Sequence, residues 1–515
     1  MRALLAAALA LTALPALGQD RPSEEELFGA PAEAPPARPA KTAPAPKSAP
    51  GSARAGEVAP AKAETAPRPA LEDERQSEDA MFGGADPSAV GPGATPVPAK
   101  ATSSALQAAE EEREKAPDDP LKIGGQLYWR AFSNVSEGQP PSQWTFSTPT
   151  LLDTYFDARP NDRIRAFALG RVSYDPTINE SDPPPSSLPG TSLKQLNVVL
   201  DQLWLRFDLE RTVFVTAGRQ HVKWGVGRFW NPTDYLHQVY KDPLSQFDAR
   251  TGTTLVKLHV PWEREGWNFY GIGLLEDTVP GGTLGKIGAG ARAEVVFGQA
   301  ELGVDALVQR GHRPRFGADL SAGLGPIDVY AEAALRTSAG ALQWHLADVP
   351  DTNQGLDGYC SSTSGAKEYA IQATAGLTHS FNFTDELVVT AGGEYFYNSV
   401  GSTKARDYPC MILKGQFTPF FVGVHYAGIY ASWNNPSRRT APTFTLSNLT
   451  NFSDFSHVAR LDYSMVLLTH LRIEAYTAFH YGKKGGEFRL GIDLPPPLNY
   501  PFSLLELGVG LRINI

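Results

Sequence analysis

Residues 503–515, S-L-L-E-L-G-V-G-L-R-I-N-I, alternate with a period of two. Leu505, Leu507, Val509, Leu511, Ile513 and Ile515 fall on one face of an extended strand, and Glu506, Gly508, Gly510, Arg512 and Asn514 on the other. A strand of a soluble sheet can carry the same pattern. Here, however, it recurs from Leu121 to the end of the chain, in segments of about 9–11 residues, the span of a strand tilted across a bilayer. After residue 18 no apolar run reaches the roughly 20 residues of a transmembrane helix. The expected fold is therefore all-β: a transmembrane antiparallel β-barrel of 16–18 strands, with 18 favoured, behind a disordered Pro/Ala-rich periplasmic tail.

The first residues agree with that address. Met1-Arg2 is a short positive region, Ala3 to Leu14 an apolar one, and Ala16-Leu17-Gly18 a small-x-small cleavage site, so residues 1–18 read as a signal peptide. Residues 19–117 are dominated by Ala, Pro, Glu, Lys and Ser and cannot bury enough apolar surface to fold alone. Within them Phe28 and Phe82 each end an S-E-x-x-[LM]-F-G-like motif, S-E-E-E-L-F-G and S-E-D-A-M-F-G. Isolated apolar anchors of this kind suit docking to a periplasmic protein, and chance similarity inside a Glu-rich tract is the equal alternative. A net charge of −10 argues against a nucleic-acid partner, and none is expected.

The region 118–515 divides into eighteen strand-like spans, from 121–132 to 503–515, among them 212–224 and 419–433. Short joins alternate with the long ones 133–147, 176–192, 225–251, 337–368, 399–418 and 482–502, as short periplasmic turns alternate with long outer loops. An even count leaves both ends of the barrel in the periplasm and requires the last strand to pair with the first. In the hairpin around Asn161, folding about that residue sets Asp157 opposite Arg165 and keeps Phe156, Ala158, Ile164 and Ala166 on one apolar face. Cys360 and Cys410 fall in successive outer loops, which makes them a disulfide candidate in an exported protein, two free thiols being the alternative.

The polar faces carry both signs. Asp157, Arg165, Arg206, Asp208, Arg460, Asp462, Arg472 and Glu474 are candidate pore-wall residues. Such charges either set up a field that orients hydrated solutes or neutralise one another and hold the wall together, the second being the better account of most of them.

The stretch Gly218 to Gly252 is the most distinctive, with G-R-Q, then W-G, then N-P-T-D. In this it resembles the porin-type outer-membrane barrels of Gram-negative bacteria, although Ile515 stands where such barrels usually end in Phe or Trp. The resemblance implies that the third outer loop folds into the pore, making Arg219, Lys223, Arg228, Asp234, Lys241, Asp242, Asp248 and Arg250 candidate constriction residues. An ordered external cap is the alternative. Trp224, Phe229, Trp230, Tyr235, Tyr240 and Phe247 give the loop the means to pack against a wall. The ten histidines are scattered, without a catalytic or metal-ligand motif, so no enzyme activity, cofactor or metal is expected.

Two functions remain. One is an outer-membrane channel for small hydrophilic solutes, narrowed by the 225–251 loop. The other is an outer-membrane component of a trans-envelope machine, for polysaccharide export, secretion or motility, recruited through the tail. Either way the expected surroundings are outer-membrane lipid, lipopolysaccharide and the barrel assembly machinery.

Overall fold

A computed structural model describes residues 120–515 apart from 180–193, 238, 246, 249, 276–286, 338–341, 349–357, 365–368, 385–386, 435–441 and 494–498. The expected signal peptide and tail, with Phe28 and Phe82, fall outside the described residues.

Eighteen strands form one closed antiparallel sheet. The first six are β1 (Leu121–Ser136), β2 (Thr150–Asn161), β3 (Ile164–Tyr174), β4 (Leu196–Leu209), β5 (Val213–Gln220) and β6 (Thr253–Trp262). Then come β7 (Trp267–Leu274), β8 (Gly288–Phe297), β9 (Ala300–Gln309), β10 (Arg315–Leu324), β11 (Ile327–Thr337) and β12 (Tyr369–Thr384). The last six are β13 (Leu387–Asn398), β14 (His425–Asn434), β15 (Thr443–Asn451), β16 (Ser456–Leu468), β17 (Leu471–Gly482) and β18 (Ser503–Asn514). Each pairs with its neighbours in sequence, and β18 pairs with β1 from Gln126↔Asn514 to Ser136↔Ser503, which closes the barrel. The joins alternate short and long, so all six long loops lie at one end.

Alternation decides which residues face out. Ile123, Val198 and Ile429 are 64%, 63% and 60% exposed, while their inward neighbours Asp153, Arg171, Asp305 and Arg512 are buried. This inverts a soluble fold, and an apolar belt around a closed barrel is what a bilayer requires. Inside, charges pair between adjacent and next-but-one strands. Arg171 Nε lies 2.9 Å from Asp153 and its Nη2 3.2 Å from Asp201, while Arg292 Nη1 lies 2.6 Å from Asp319 and 3.2 Å from Asp305. At the seam Arg512 Nη2 lies 2.9 Å from Glu474, which also accepts a hydrogen bond from Tyr128 at 2.7 Å.

Three local expectations are corrected. A bulge between Ala158 and Asn161 sets Asp157 opposite Phe167, not Arg165. The offset is two residues, so the faces survive, and Arg165 Nε still reaches Asp157 diagonally at 2.8 Å. Strand β5 stops at Gln220 because its partner β6 begins at Thr253, leaving 221–252 to turn inward. Strand β14 begins at His425 because Phe420 has a positive φ of 65° and the backbone around it binds other loops.

At the long-loop end Cys360 and Cys410 form a disulfide. It ties the hairpin of Leu342–Leu346 and Cys360–Ser364 to helix α1 (Tyr408–Leu413), beside a hydrogen bond from Leu346 N to Asp407 at 3.1 Å. Closing a 50-residue segment, it contributes about 3–4 kcal/mol in the chain-entropy account. Cys410→Ser is expected to expose the 338–368 and 399–424 loops to protease while the heat-modifiable electrophoretic mobility of the barrel stays unchanged.

Candidate functional site

Loop 221–252 does not stand outside the barrel. Two wall carboxylates hold its backbone. Glu332, at the centre of β11, accepts hydrogen bonds from the amides of Val226 (2.7 Å), Gly227 (3.1 Å) and Thr233 (3.3 Å). Glu394 on β13 accepts from the amides of Arg228 (2.7 Å), Phe229 (3.1 Å) and Trp230 (2.7 Å), and from the Tyr330 hydroxyl at 2.8 Å. Successive amides aimed at one acceptor make a nest, which requires a tight irregular backbone. Gly225 supplies it with a φ of 84°, at a place where a Cβ would fall 2.5 Å from Glu332 Oε2.

Aromatic packing extends the grip around the wall. Trp230 is fully buried, stacks on Phe396 at 5.6 Å and donates its indole N–H to Phe420 O at 2.8 Å. It shares a cluster with Phe229, Tyr426, Leu449, Val458 and Ala478 from β14 to β17. On the other side Trp224, Tyr235 and Leu236 pack on Leu255, Ile272, Leu307 and Ala334 from β6, β7, β9 and β11. Phe247 lies against Tyr128 and Leu151 of β1 and β2. The loop therefore meets the wall on every side of the interior.

The eight candidate constriction residues fall into two sets. Arg219 donates to Gly252 O at 2.9 Å and fixes the stem. Arg250 bridges Asp234 (2.8 Å) and Asp248 (2.7 Å), and Asp234 also meets His237 at 2.8 Å. Burial works to raise the Asp234 carboxyl, but His237 and Arg250 outweigh it and hold it low. Burial likewise opposes the Arg250 guanidinium, which still brings Asp248 well below the carboxylate range. These four brace the loop.

Lys223, Arg228, Lys241 and Asp242 are solvent-exposed. Arg228 lies over the Tyr430 ring at 3.7 Å. Lys241 is wetted yet enclosed by the barrel, so desolvation first and Lys223 next push its ammonium down. The same enclosure raises Asp242, whose charged neighbours Arg460 and Glu506 belong to β16 and β18.

Of the pore-wall candidates, Asp157 pairs with Arg165, Asp462 with Arg460 at 2.7 Å, and Glu474 with Arg512. Arg206 lies over Phe214 at 5.3 Å, and Arg472 stands opposite Arg512 in the ladder. Asp208 sits instead at the short-turn rim, bound to Arg163 at 3.1 Å. Glu332 and Glu394 read in sequence only as inward acids, because their partners are backbone amides far along the chain. A cavity of about 360 Å³ remains between loop and wall, lined among others by His237, Tyr240, His312, Arg315 and Arg336.

Above the loop, Glu487 accepts from Tyr426 (2.7 Å), Asn451 (2.9 Å) and the amide of Phe420, and its own amide donates to Asp454 at 2.8 Å. Tyr408 also donates to Asp454, at 2.9 Å. This clasp joins the 399–424 and 483–502 loops to the cluster around Trp230.

A closed, even-stranded barrel, apolar outside and charged inside, with its long loops at one end, has the architecture of a porin-type outer-membrane protein. No protein-family model and no curated protein matches the chain. Among solved structures it is similar to OccAB1 of Acinetobacter baumannii, at 11% identity and a TM-score of 0.47, covering 77% of this chain and 96% of that one. It is also similar to OccK11 (OpdR) of Pseudomonas aeruginosa, at 9% identity and a TM-score of 0.44, over 77% and 96%. An engineered mutant of the porin of Rhodopseudomonas blastica aligns at 11% identity and a TM-score of 0.36, over 77% and 100%.

Glu394→Ala strips three amides of their acceptor, the buried ones of Phe229 and Trp230 at about 1–3 kcal/mol each. Hydrogen exchange at residues 228–230 should accelerate at least about tenfold, with the amides of β13 unchanged. A second expectation concerns pH. Burial, against the Tyr426 hydrogen bond and with the charge of Asp454, pushes the Glu487 carboxyl from 4.5 up to about 8. The folded clasp thus binds the proton more tightly than the unfolded chain. Its contribution is fully present below pH 4.5 and is lost as pH rises through about 8. Loop protection measured by exchange should fall between pH 6 and pH 9, and Glu487→Gln should flatten that profile.

Proposed function

We propose that the protein is an outer-membrane channel for small hydrophilic solutes whose lumen is narrowed by the 225–251 loop. The observation that carries this is the seating of the loop on two wall carboxylates, Glu332 of β11 and Glu394 of β13, with Lys223, Arg228, Lys241 and Asp242 left facing water. A solute threading past them meets fixed charges in a low-dielectric enclosure, where each acts more strongly than on an open surface. Asp234, Asp248, Arg250 and Arg219 keep those charges in place without contacting the solute. Bilayer lipid and lipopolysaccharide would surround the apolar belt, the barrel assembly machinery would insert it, and the tail would dock a periplasmic protein through Phe28 and Phe82.

Planar-bilayer recordings of the mature chain test this. Discrete open-channel steps are expected, with Glu332→Ala/Glu394→Ala raising unit conductance about twofold and Lys241→Glu shifting ion selectivity toward cations. Absence of channel current, together with loss of cellular function on Phe28→Ala/Phe82→Ala, would instead support a component of a trans-envelope machine.

A further inference from the structure

Two imidazoles meet inside the barrel, each backed by a carboxylate. His221 follows the end of β5, and His237 lies within the inward loop. His221 Nε2 is 3.0 Å from Asp201 Oδ1, and His237 Nδ1 is 2.8 Å from Asp234 Oδ1. An ionised carboxylate only accepts, so each imidazole donates its N–H outward to its aspartate. Asp201 is further held by Arg171 at 3.2 Å and by the Gly252 amide at 3.0 Å, and Asp234 by Arg250 at 2.8 Å. Both carboxylates are thereby kept charged and in position.

The two remaining ring nitrogens, His221 Nδ1 and His237 Nε2, face each other 3.4 Å apart. In the neutral rings both carry lone pairs, which repel. A shared proton would relieve this, but 3.4 Å is long for such a hydrogen bond. It does match the edge of a tetrahedral site, where two nitrogens each about 2.0–2.1 Å from a metal lie about 3.3–3.4 Å apart. A carboxylate behind each imidazole is the usual outer partner of a metal-bound histidine, fixing tautomer and ring orientation.

The geometry points to a binding site for a divalent cation of the zinc, copper or nickel type, ligated by His221 Nδ1 and His237 Nε2 and oriented by Asp201 and Asp234. Among the described residues no third His, Cys, Asp or Glu joins the pair. The other coordination positions belong to water or to a donor atom of a solute entering from the 360 Å³ cavity that His237 lines. Imidazole ligands select this class of metal over calcium or magnesium. A bound cation would cross-link the stem of the loop to its body, whether or not the loop narrows a pore.

The test uses the full chain in detergent with Cu²⁺ and Zn²⁺ salts as probes. One equivalent of Cu²⁺ is expected beyond that bound by the His221→Gln/His237→Gln variant, with pulsed EPR showing coupling to two imidazoles. Asp234→Asn should weaken binding about 10–100-fold. In the wild-type chain, Zn²⁺ should shift the ¹⁵N resonances of both His221 Nδ1 and His237 Nε2, a readout that needs no variant to fold. Equal binding by the double variant would overturn the proposal, as would a single-imidazole signal or ¹⁵N resonances that report a shared proton and ignore Zn²⁺.

Discussion

Two carboxylates projecting from the barrel wall determine what the interior is. Glu332 and Glu394 each gather three backbone amides of loop 221–252, which a lumen-facing loop cannot otherwise satisfy once water is displaced. With those amides satisfied, Trp230 and Phe229 can enter the cluster on β14 to β17, and Trp224 and Tyr235 the cluster on β6 to β11. Removing the acceptors would leave polar backbone against apolar rings, so the packing depends on the hydrogen bonds and not the reverse.

The loop's own charges then divide by task. Asp234, Asp248 and Arg250 are consumed in bracing, which frees Lys223, Arg228, Lys241 and Asp242 to face solvent. The outer clasp of Glu487, Asp454, Tyr426 and Tyr408 adds a lid of hydrogen bonds behind Phe420 and Phe488, which touch the same aromatic cluster. Loop, clasp and disulfide are thus mechanically continuous at the long-loop end of the barrel.

The barrel was legible because a period of two leaves little freedom: a face that is apolar outside must be polar inside, and eighteen such spans have one closed solution. The disulfide followed from which end each loop occupies. The hairpin at Asn161 shows where such reading stops. A bulge moved the register by two residues, which parity cannot detect, so the faces were right and the residue directly opposite Asp157 was not, although Arg165 still reaches it diagonally. The site was half legible. The aromatic content of 224–247 marks a loop that packs, whereas Glu332 and Glu394 resemble any other inward acid, since nothing local records that their partners are amides some hundred residues away.

The seam between β1 and β18 has a consequence for assembly. Leu127 faces Ile513 and Trp129 faces Leu511, the two ends of the barrel-forming chain. Until the final strand arrives the sheet has two open edges, each a row of unpaired amides and carbonyls able to recruit another chain. The inward loop belongs to the first half of the sequence, but the wall residues of the cluster around Trp230 come from β13 to β17. The loop must therefore wait, unsheltered, while its own container is completed, and closure of the seam is the event that removes both liabilities together.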